Sequence, residues 1–173
     1  MSEPELILVD ENDNVVGYSE KLAAHLNGGK LHRAFSIVIY DLKGRMLLQK
    51  RAASKYHFGG FWTNACCSHP LRGEELEDTV HRRLIFEMGF DTPLRQEFSF
   101  IYRAEDEASG LVEHELDRVF TGTYDGAVKP NPDEVEDYKW IDMPELLSDL
   151  ETSPENYTPW FKILMKQLSS HSA

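Results

Sequence analysis

The chain has 173 residues and a mass of 19.9 kDa, and 41% of its residues are hydrophobic, 28% charged and 11% aromatic. That size fits one domain over residues 1–173, burying roughly 70% of its unfolded surface, and the composition excludes a disordered or low-complexity chain. With 18 Lys+Arg against 30 Asp+Glu the formal charge is −12, which argues against nucleic acid or an anionic membrane as the main partner, since both demand a net basic footprint.

An anionic small molecule is compatible with that charge if basic residues gather locally against the global field. Cys66 and Cys67 are adjacent, a poor geometry for a structural crosslink. No apolar run reaches the length of a membrane span, and MSEPELILVDEND lacks the basic-then-apolar form of a secretory signal. The expectation is a reduced, soluble, cytoplasmic protein, with a monomer favoured.

In chain order, ELILVD and VVGYS flank the turn-forming DENDN and read as two short strands. SEKLAAHL follows as a short helix running to NGG, with Ser19 expected as its N-cap. LHRAFSIVIYD and RMLLQKR flank Asp41-Leu42-Lys43-Gly44 as a β-hairpin. The Gly- and aromatic-rich stretch HFGGFWTNACCSHP leads into a helix over Glu74–Met88. LRQEFSFIYRA, GLVEHELDRVFTGTY and EDYKWID are further strands. MPELLSDL and TPWFKILMKQL close the chain as helices, the last with Thr158 as N-cap and Pro159 in its first turn. Helices interleaved with hairpins imply an α/β (α+β) sandwich, in which a mixed or antiparallel sheet is flanked by helices.

The strand Leu111–Phe120 carries the strongest chemical signal. A side-chain period of two puts Glu113 and Glu115 on one face, roughly 7 Å apart, and His114 on the other. Alone, the pair reads as an exposed polar face; the alternative is a metal site. His25, His32 and His69 could join the two carboxylates in a mixed N/O donor set for a divalent ion such as Zn, Mn or Mg. No HxH or HExxH spacing links them, so each histidine taken singly reads as a surface or core residue. His57, His81 and His171 keep that reading.

On the Glu74–Met88 helix, Leu76, Val80, Leu84 and Met88 form one apolar stripe, and Arg83 and Glu87 fall on the same side. A charged pair beside a buried stripe reads equally as a structural bridge or as part of a ligand site. Cys66 and Cys67 face opposite ways on a strand, so one belongs to the core and the other can face a pocket. Lys21, Arg51, Lys55 and Arg83 are the basic residues that could gather on an anion.

FWTNACCSHP (61–70), the Arg82-Arg83 helix and Glu113-His114-Glu115 together resemble the type I isopentenyl-diphosphate isomerase family. The likeness runs from Lys21-Leu22-Ala23-Ala24-His25 through Thr158-Pro159-Trp160. That family has the Nudix fold, whose sequence box is G-x5-E-x7-R-E-U-x-E-E-x-G-U. Aligning its last glycine on Gly89 puts Ser68, Glu74 and Arg82 at the first glycine, first glutamate and arginine. Arg83 and Phe86 then replace two glutamates, while Leu84, Glu87 and Phe90 fit. The fold signature survives and the hydrolytic cluster is broken, which favours an isomerase over a Nudix pyrophosphohydrolase of small diphosphates.

The resemblance implies a divalent ion (Mn2+, Zn2+ or Mg2+) on His25, His32, His69, Glu113 and Glu115. It implies Cys67 and Glu115 as the catalytic pair assisted by Tyr102, with Mg2+ joining the substrate diphosphate to Glu87 and the Cys67 carbonyl. Lys21, Arg51, Lys55 and Arg83 match residues around the diphosphate, and Trp160 an aromatic over the hydrocarbon end. The implied reaction, in isoprenoid biosynthesis, adds a proton at C4 and removes one from C2 through a carbocation-like intermediate. Glu115 with Tyr102 is expected to give the proton and Cys67 to accept it.

Overall fold

The computed structural model describes residues 3–26, 28–55 and 58–171; His57 lies outside them. The first two strands, β1 (Glu5–Val9) and β2 (Val15–Glu20), form the expected hairpin, and a short helix α1 (Lys21–His25) follows at once. Ser19 does not cap α1. Its pairing with Leu6 keeps it extended within β2, its hydroxyl donates to the Glu20 carbonyl (3.1 Å), and the capping position falls on Glu20, which makes no side-chain cap.

The long strand β3 (His32–Tyr40) is the spine of the sheet. The turn after it forms as the sequence implies: the Asp41 carboxylate accepts the N–H groups of Lys43 and Arg45, both at 2.9 Å, and Gly44 supplies φ +78°. Beyond the turn, β4 (Met46–Arg51) shares only the Tyr40–Met46 register with β3 before diverging. It pairs instead with β5 (Trp62–Asn64) and β9 (Val135–Ile141). On the other branch, β3 pairs antiparallel with β6 (Cys66–Ser68) and parallel with β8 (Val112–Thr123), from His32 opposite Glu115 to Tyr40 opposite Thr123. A long antiparallel ladder joins β8 to β7 (Arg95–Glu105). The sheet is therefore mixed and splits around β3. The Gly- and aromatic-rich stretch before the first long helix contains β5 and β6, and Cys66 and Cys67 lie on the second of these strands.

Helices cover both faces. On one, α2 (Leu76–Met88) buries Val80, Leu84 and Met88 against Phe35, Ile37 and Ile39, with Leu76 at the edge of this layer. On the other, α3 (Met143–Thr152) and α4 (Pro159–His171) bury Leu146, Phe161 and Leu164 against Val38, Val119 and Phe100. Alternation along β3 thus feeds two cores, and it fixes which face any polar residue on these strands must take. The α4 cap forms as expected, with Thr158 Oγ1 accepting the Phe161 N–H at 3.3 Å.

Helix α2 begins at Leu76 rather than Glu74, because Glu74 serves the preceding turn. Its carboxylate accepts the Leu71 N–H (2.7 Å) and pairs with Arg82. At the other end Gly89 closes α2 with φ +75°, and a Cβ there would meet the Lys129 carbonyl at 2.4 Å. That close approach lets a strap after β8 dock on the helix end, with the N–H groups of Lys129 and Asn131 donating to the carbonyls of Met88 and Glu87.

Candidate active site and metal centre

On β8 the period of two carries Glu113, Glu115 and Asp117 onto the α4 side of the sheet, all buried. His32 lies opposite Glu115 across the parallel ladder, His25 ends α1, and His69 follows β6. The ligand atoms of His25, His32, His69 and Glu113 all lie within 4.8 Å of one another. Glu115 completes the group, with Oε2 3.1 Å from His69 Nε2 and 3.8 Å from His32 Nε2. The five residues expected as ligands thus converge although they come from four separate elements and loops.

Ring chemistry tests whether a cation fits. His25 Nδ1 faces the Lys21 carbonyl at 2.5 Å and His32 Nδ1 the Lys30 carbonyl at 2.8 Å. A carbonyl only accepts, so both Nδ1 atoms carry N–H groups, and in its neutral form each ring offers the Nε2 lone pair. His25 Nε2 is aimed at Glu113 Oε2 (3.0 Å), and His32 Nε2 is buried without a hydrogen-bond partner among the described residues. Lone pairs converging with carboxylate oxygens in a dry site suit a divalent ion, and backbone carbonyls already orient two of the rings from behind.

Burial shifts several groups here. It pushes His32 down to about 4 and His69 well below the ordinary imidazole range. For His25 the burial is outweighed by Glu113, so its pKa rises. Burial and the neighbouring Glu113 carboxylate raise Glu115 well above the usual carboxylate range, against the lowering effect of the Tyr102 hydroxyl, which donates to Oε1. Tyr102 faces Glu115 across the β7–β8 ladder, and its own pKa is raised, by burial first.

Beside this cluster, the thiol of Cys67 donates to Asn64 Oδ1 at 2.9 Å, with Ser36 Oγ at 3.7 Å. Asn64 is itself fixed, because its amide donates to the carbonyls of Ile37 (2.9 Å) and Cys66 (3.0 Å). Burial, reinforced by Asp117, pushes the Cys67 thiol up to about 12. Cys66 turns the other way into the core, and its thiol donates to Glu87 (3.3 Å). Cys67, Tyr102, Glu113, Glu115 and Trp160 line a single cavity of about 60 Å³. Trp160 roofs it from the first turn of α4 and packs edge-on against Phe58.

Lys21, Arg51, Lys55 and Arg83 also line this cavity, so the four basic residues gather as expected despite the overall negative charge. Burial lowers the Lys21 pKa, and the cations of Lys55, Arg51 and Arg83 add to the effect. The Arg51 guanidinium lies 5.2 Å from the Trp160 ring centre. Arg83 pairs with Glu87 at 2.8 Å, and Gln49 donates to the second Glu87 oxygen at 3.2 Å. The bridge therefore forms part of the cavity wall.

The Nudix domain profile matches residues 30–161. The chain is 50% identical to isopentenyl-diphosphate Delta-isomerase 2 of Aromatoleum aromaticum over 168 residues, which cover 97% of this chain and 88% of that protein. It is 51% identical over 164 residues to isopentenyl-diphosphate Delta-isomerase 2 of Photorhabdus laumondii, covering 95% and 92%. The chain belongs to the isopentenyl-diphosphate Delta-isomerase family, within the Nudix fold. A solved structure of DR0079 from Deinococcus radiodurans superposes with a TM-score of 0.71 at 19% identity, covering 86% of this chain and 90% of that one. A MutT protein from Methanosarcina mazei gives 0.66 at 18%, covering 81% and 94%. At such identities these two show the fold alone.

For an isomerase-family chain the helix α2 is informative. Where the Nudix box has glutamates, Arg83 leans over the exposed ring of Phe86 at 4.8 Å, and Glu87 is the carboxylate that remains. Glu74 and Arg82 keep the box's structural ion pair. Two histidines away from the cluster make contacts of their own: His81 pairs with Asp91 (2.6 Å) and His171 stacks on Phe98 (4.1 Å).

Sequence reasoning missed several cavity residues, among them Asp117, Ser36, Gln49 and Glu134. Asp117 was legible as the next step of the Glu113, Glu115 alternation. It lies 2% exposed, accepts the Ser36 hydroxyl at 2.7 Å, and burial lifts it to about 7. Ser36, Gln49 and Glu134 carry no local signal; only strand pairing and docking bring them to the site.

Proposed function

We propose that the chain interconverts isopentenyl diphosphate and dimethylallyl diphosphate as a single domain, acting in the cytoplasm as a monomer. The observation that carries this reading, beside family membership, is one buried cavity lined jointly by Cys67, the Tyr102–Glu115 pair and four cations. The alkene is unactivated, so the reaction needs an acid for C4, a base for C2 and a dry site that protects a cation at C3.

Glu115 and Tyr102 form the donor end: burial favours the protonated carboxyl, a bound cation would oppose that, and the Tyr102 O–H, already directed at Oε1, would relay the proton. Cys67 receives the C2 proton. Its sulfur rests as S–H, so only the ionised fraction turns over, and Asn64 and Ser36 hold it in place. The π face of Trp160 shields the developing cation from water without competing as a nucleophile. Lys21, Arg51, Lys55 and Arg83 bind the diphosphate.

His25, His32, His69, Glu113 and Glu115 would hold a Mn2+, Zn2+ or Mg2+ ion, which would neutralise carboxylate crowding and fix Glu115. Glu87 and the Cys67 carbonyl would hold Mg2+ against the diphosphate and offset its charge. The replacement of two box glutamates by Arg83 and Phe86 weighs against pyrophosphohydrolysis. Incubating the enzyme with isopentenyl diphosphate in deuterium oxide tests the reading by NMR. Dimethylallyl diphosphate carrying solvent deuterium is expected; phosphate release without double-bond migration would overturn it.

A further inference from the structure

An anion already sits among the cations of the cavity mouth. Glu134 immediately precedes β9, and its Oε2 pairs with Lys55 Nζ and lies 3.9 Å from Arg83 Nη2. These side chains are 19%, 21% and 27% exposed, so the contacts are partly desolvated and stronger than open surface bridges.

The backbone of Glu134 is anchored to both elements that carry those cations. Its carbonyl accepts the Ala52 N–H at 3.0 Å, and Ala52 in turn accepts the Lys55 N–H at 3.0 Å. Its own N–H donates to the Asn131 carbonyl (3.0 Å), and the Asn131 N–H donates to the Glu87 carbonyl (2.9 Å) on the helix that bears Arg83. Residue 134 is thus the point where the loop after β4, the end of α2 and the start of β9 meet.

A carboxylate there has two opposing effects on an incoming diphosphate. It repels the anion through the field, and it holds two mutually repelling cations at one spacing. Lys55 lies on a loop and has a long, rotamer-rich stem; without Glu134 it is free to leave for water, which is an ordering cost that binding must then meet. The repulsion comes from a single charge that the two cations paired with it already largely offset. Ordering outweighs repulsion.

We propose that Glu134 is a positioning residue for the diphosphate, acting through Lys55 and Arg83 rather than touching the reacting atoms. This rests on the reading of the cavity as a diphosphate site. The test is calorimetric titration of inorganic pyrophosphate with excess Mg2+, together with steady-state kinetics on isopentenyl diphosphate, for the wild type, Glu134→Gln, Lys55→Met and the double variant. Glu134→Gln is expected to weaken pyrophosphate and raise KM about tenfold, the usual scale for one charge-assisted contact, with kcat within about twofold. Glu134→Asp, which keeps the charge, recovers part of the loss. In the double variant the Glu134 loss largely disappears into that of Lys55→Met. Pyrophosphate binding in Glu134→Gln equal to or tighter than wild type overturns the proposal, as do losses that simply multiply in the double variant. Failure of the wild type itself to bind pyrophosphate or to isomerise overturns the site reading beneath it.

Discussion

Asn64→Ala probes both the architecture and the thiol. Asn64 is fully buried, and its side chain makes four hydrogen bonds: donations to Ile37 O and Cys66 O, and acceptance from Thr63 Oγ1 (3.0 Å) and Cys67 Sγ. At about 1 kcal/mol net each, with two carbonyls deprived of a donor in a dry layer, the loss is ~4 kcal/mol. For a domain of this length that converts to a fall in Tm of ~12 °C, at about 3 °C per kcal/mol. Thermal unfolding followed by circular dichroism measures it, with a urea titration as a second estimate at fixed temperature. In the same variant kcat falls because the sulfur has lost its main partner, while KM stays near wild type because the cations at the mouth are untouched. A Tm within ~3 °C of wild type, or an unchanged kcat, refutes the claim that Asn64 holds the thiol.

Cys67→Ala should abolish turnover, by at least the 10²–10⁴-fold typical of a lost acid–base group, while leaving pyrophosphate affinity within about twofold; a matching loss of affinity would make the cysteine structural. Metal addition to chelator-treated protein should raise Tm by several degrees, and His32→Gln should remove most of that rise because its buried Nε2 has no other role; an equal rise in the variant would place the ion elsewhere. In chelator, Asp117→Asn should be stabilising at pH 8 and neutral near pH 4. The folded carboxyl titrates at about 7 against 3.8 unfolded, so the native state binds the extra proton between these values, and stability is lost as pH rises through 7. The limit of that loss is ~4 kcal/mol at high pH; urea midpoints that do not diverge with pH would refute it.

The elements were legible wherever one period governed a segment. The stripe of Val80, Leu84 and Met88 gave α2, and the alternation through Glu113 and Glu115 gave the carboxylate face of β8. Thr158 announced α4 because the cap is local, whereas Ser19 misled because strand pairing with Leu6 overrides a local capping preference. The site was legible through residue types that are costly to bury, and the family likeness joined them. What stayed hidden depends on long-range pairing: Ser36 reaches Cys67 only because β3 lies between β6 and β8, and Glu134 meets Lys55 only through docking after β8. Asp117 obeys the same alternation, one step beyond Glu115.

The parity of β8 limits how this chain can change in length. Inserting one residue between Glu113 and Asp117 would throw the carboxylates beyond it onto the opposite face of the sheet, where Leu116 packs on Ile7 and Val9. No local repair could restore the ion cage, since His32 and Glu115 are locked across the same rung. Growth is permitted instead at the turn before the strand, where the Asp106 N–H and the Leu111 carbonyl close a loop around Gly110 outside the ladder. Lengthening that loop moves neither the donors of the cage nor the thiol, so a linker or label spliced there should leave the chemistry intact.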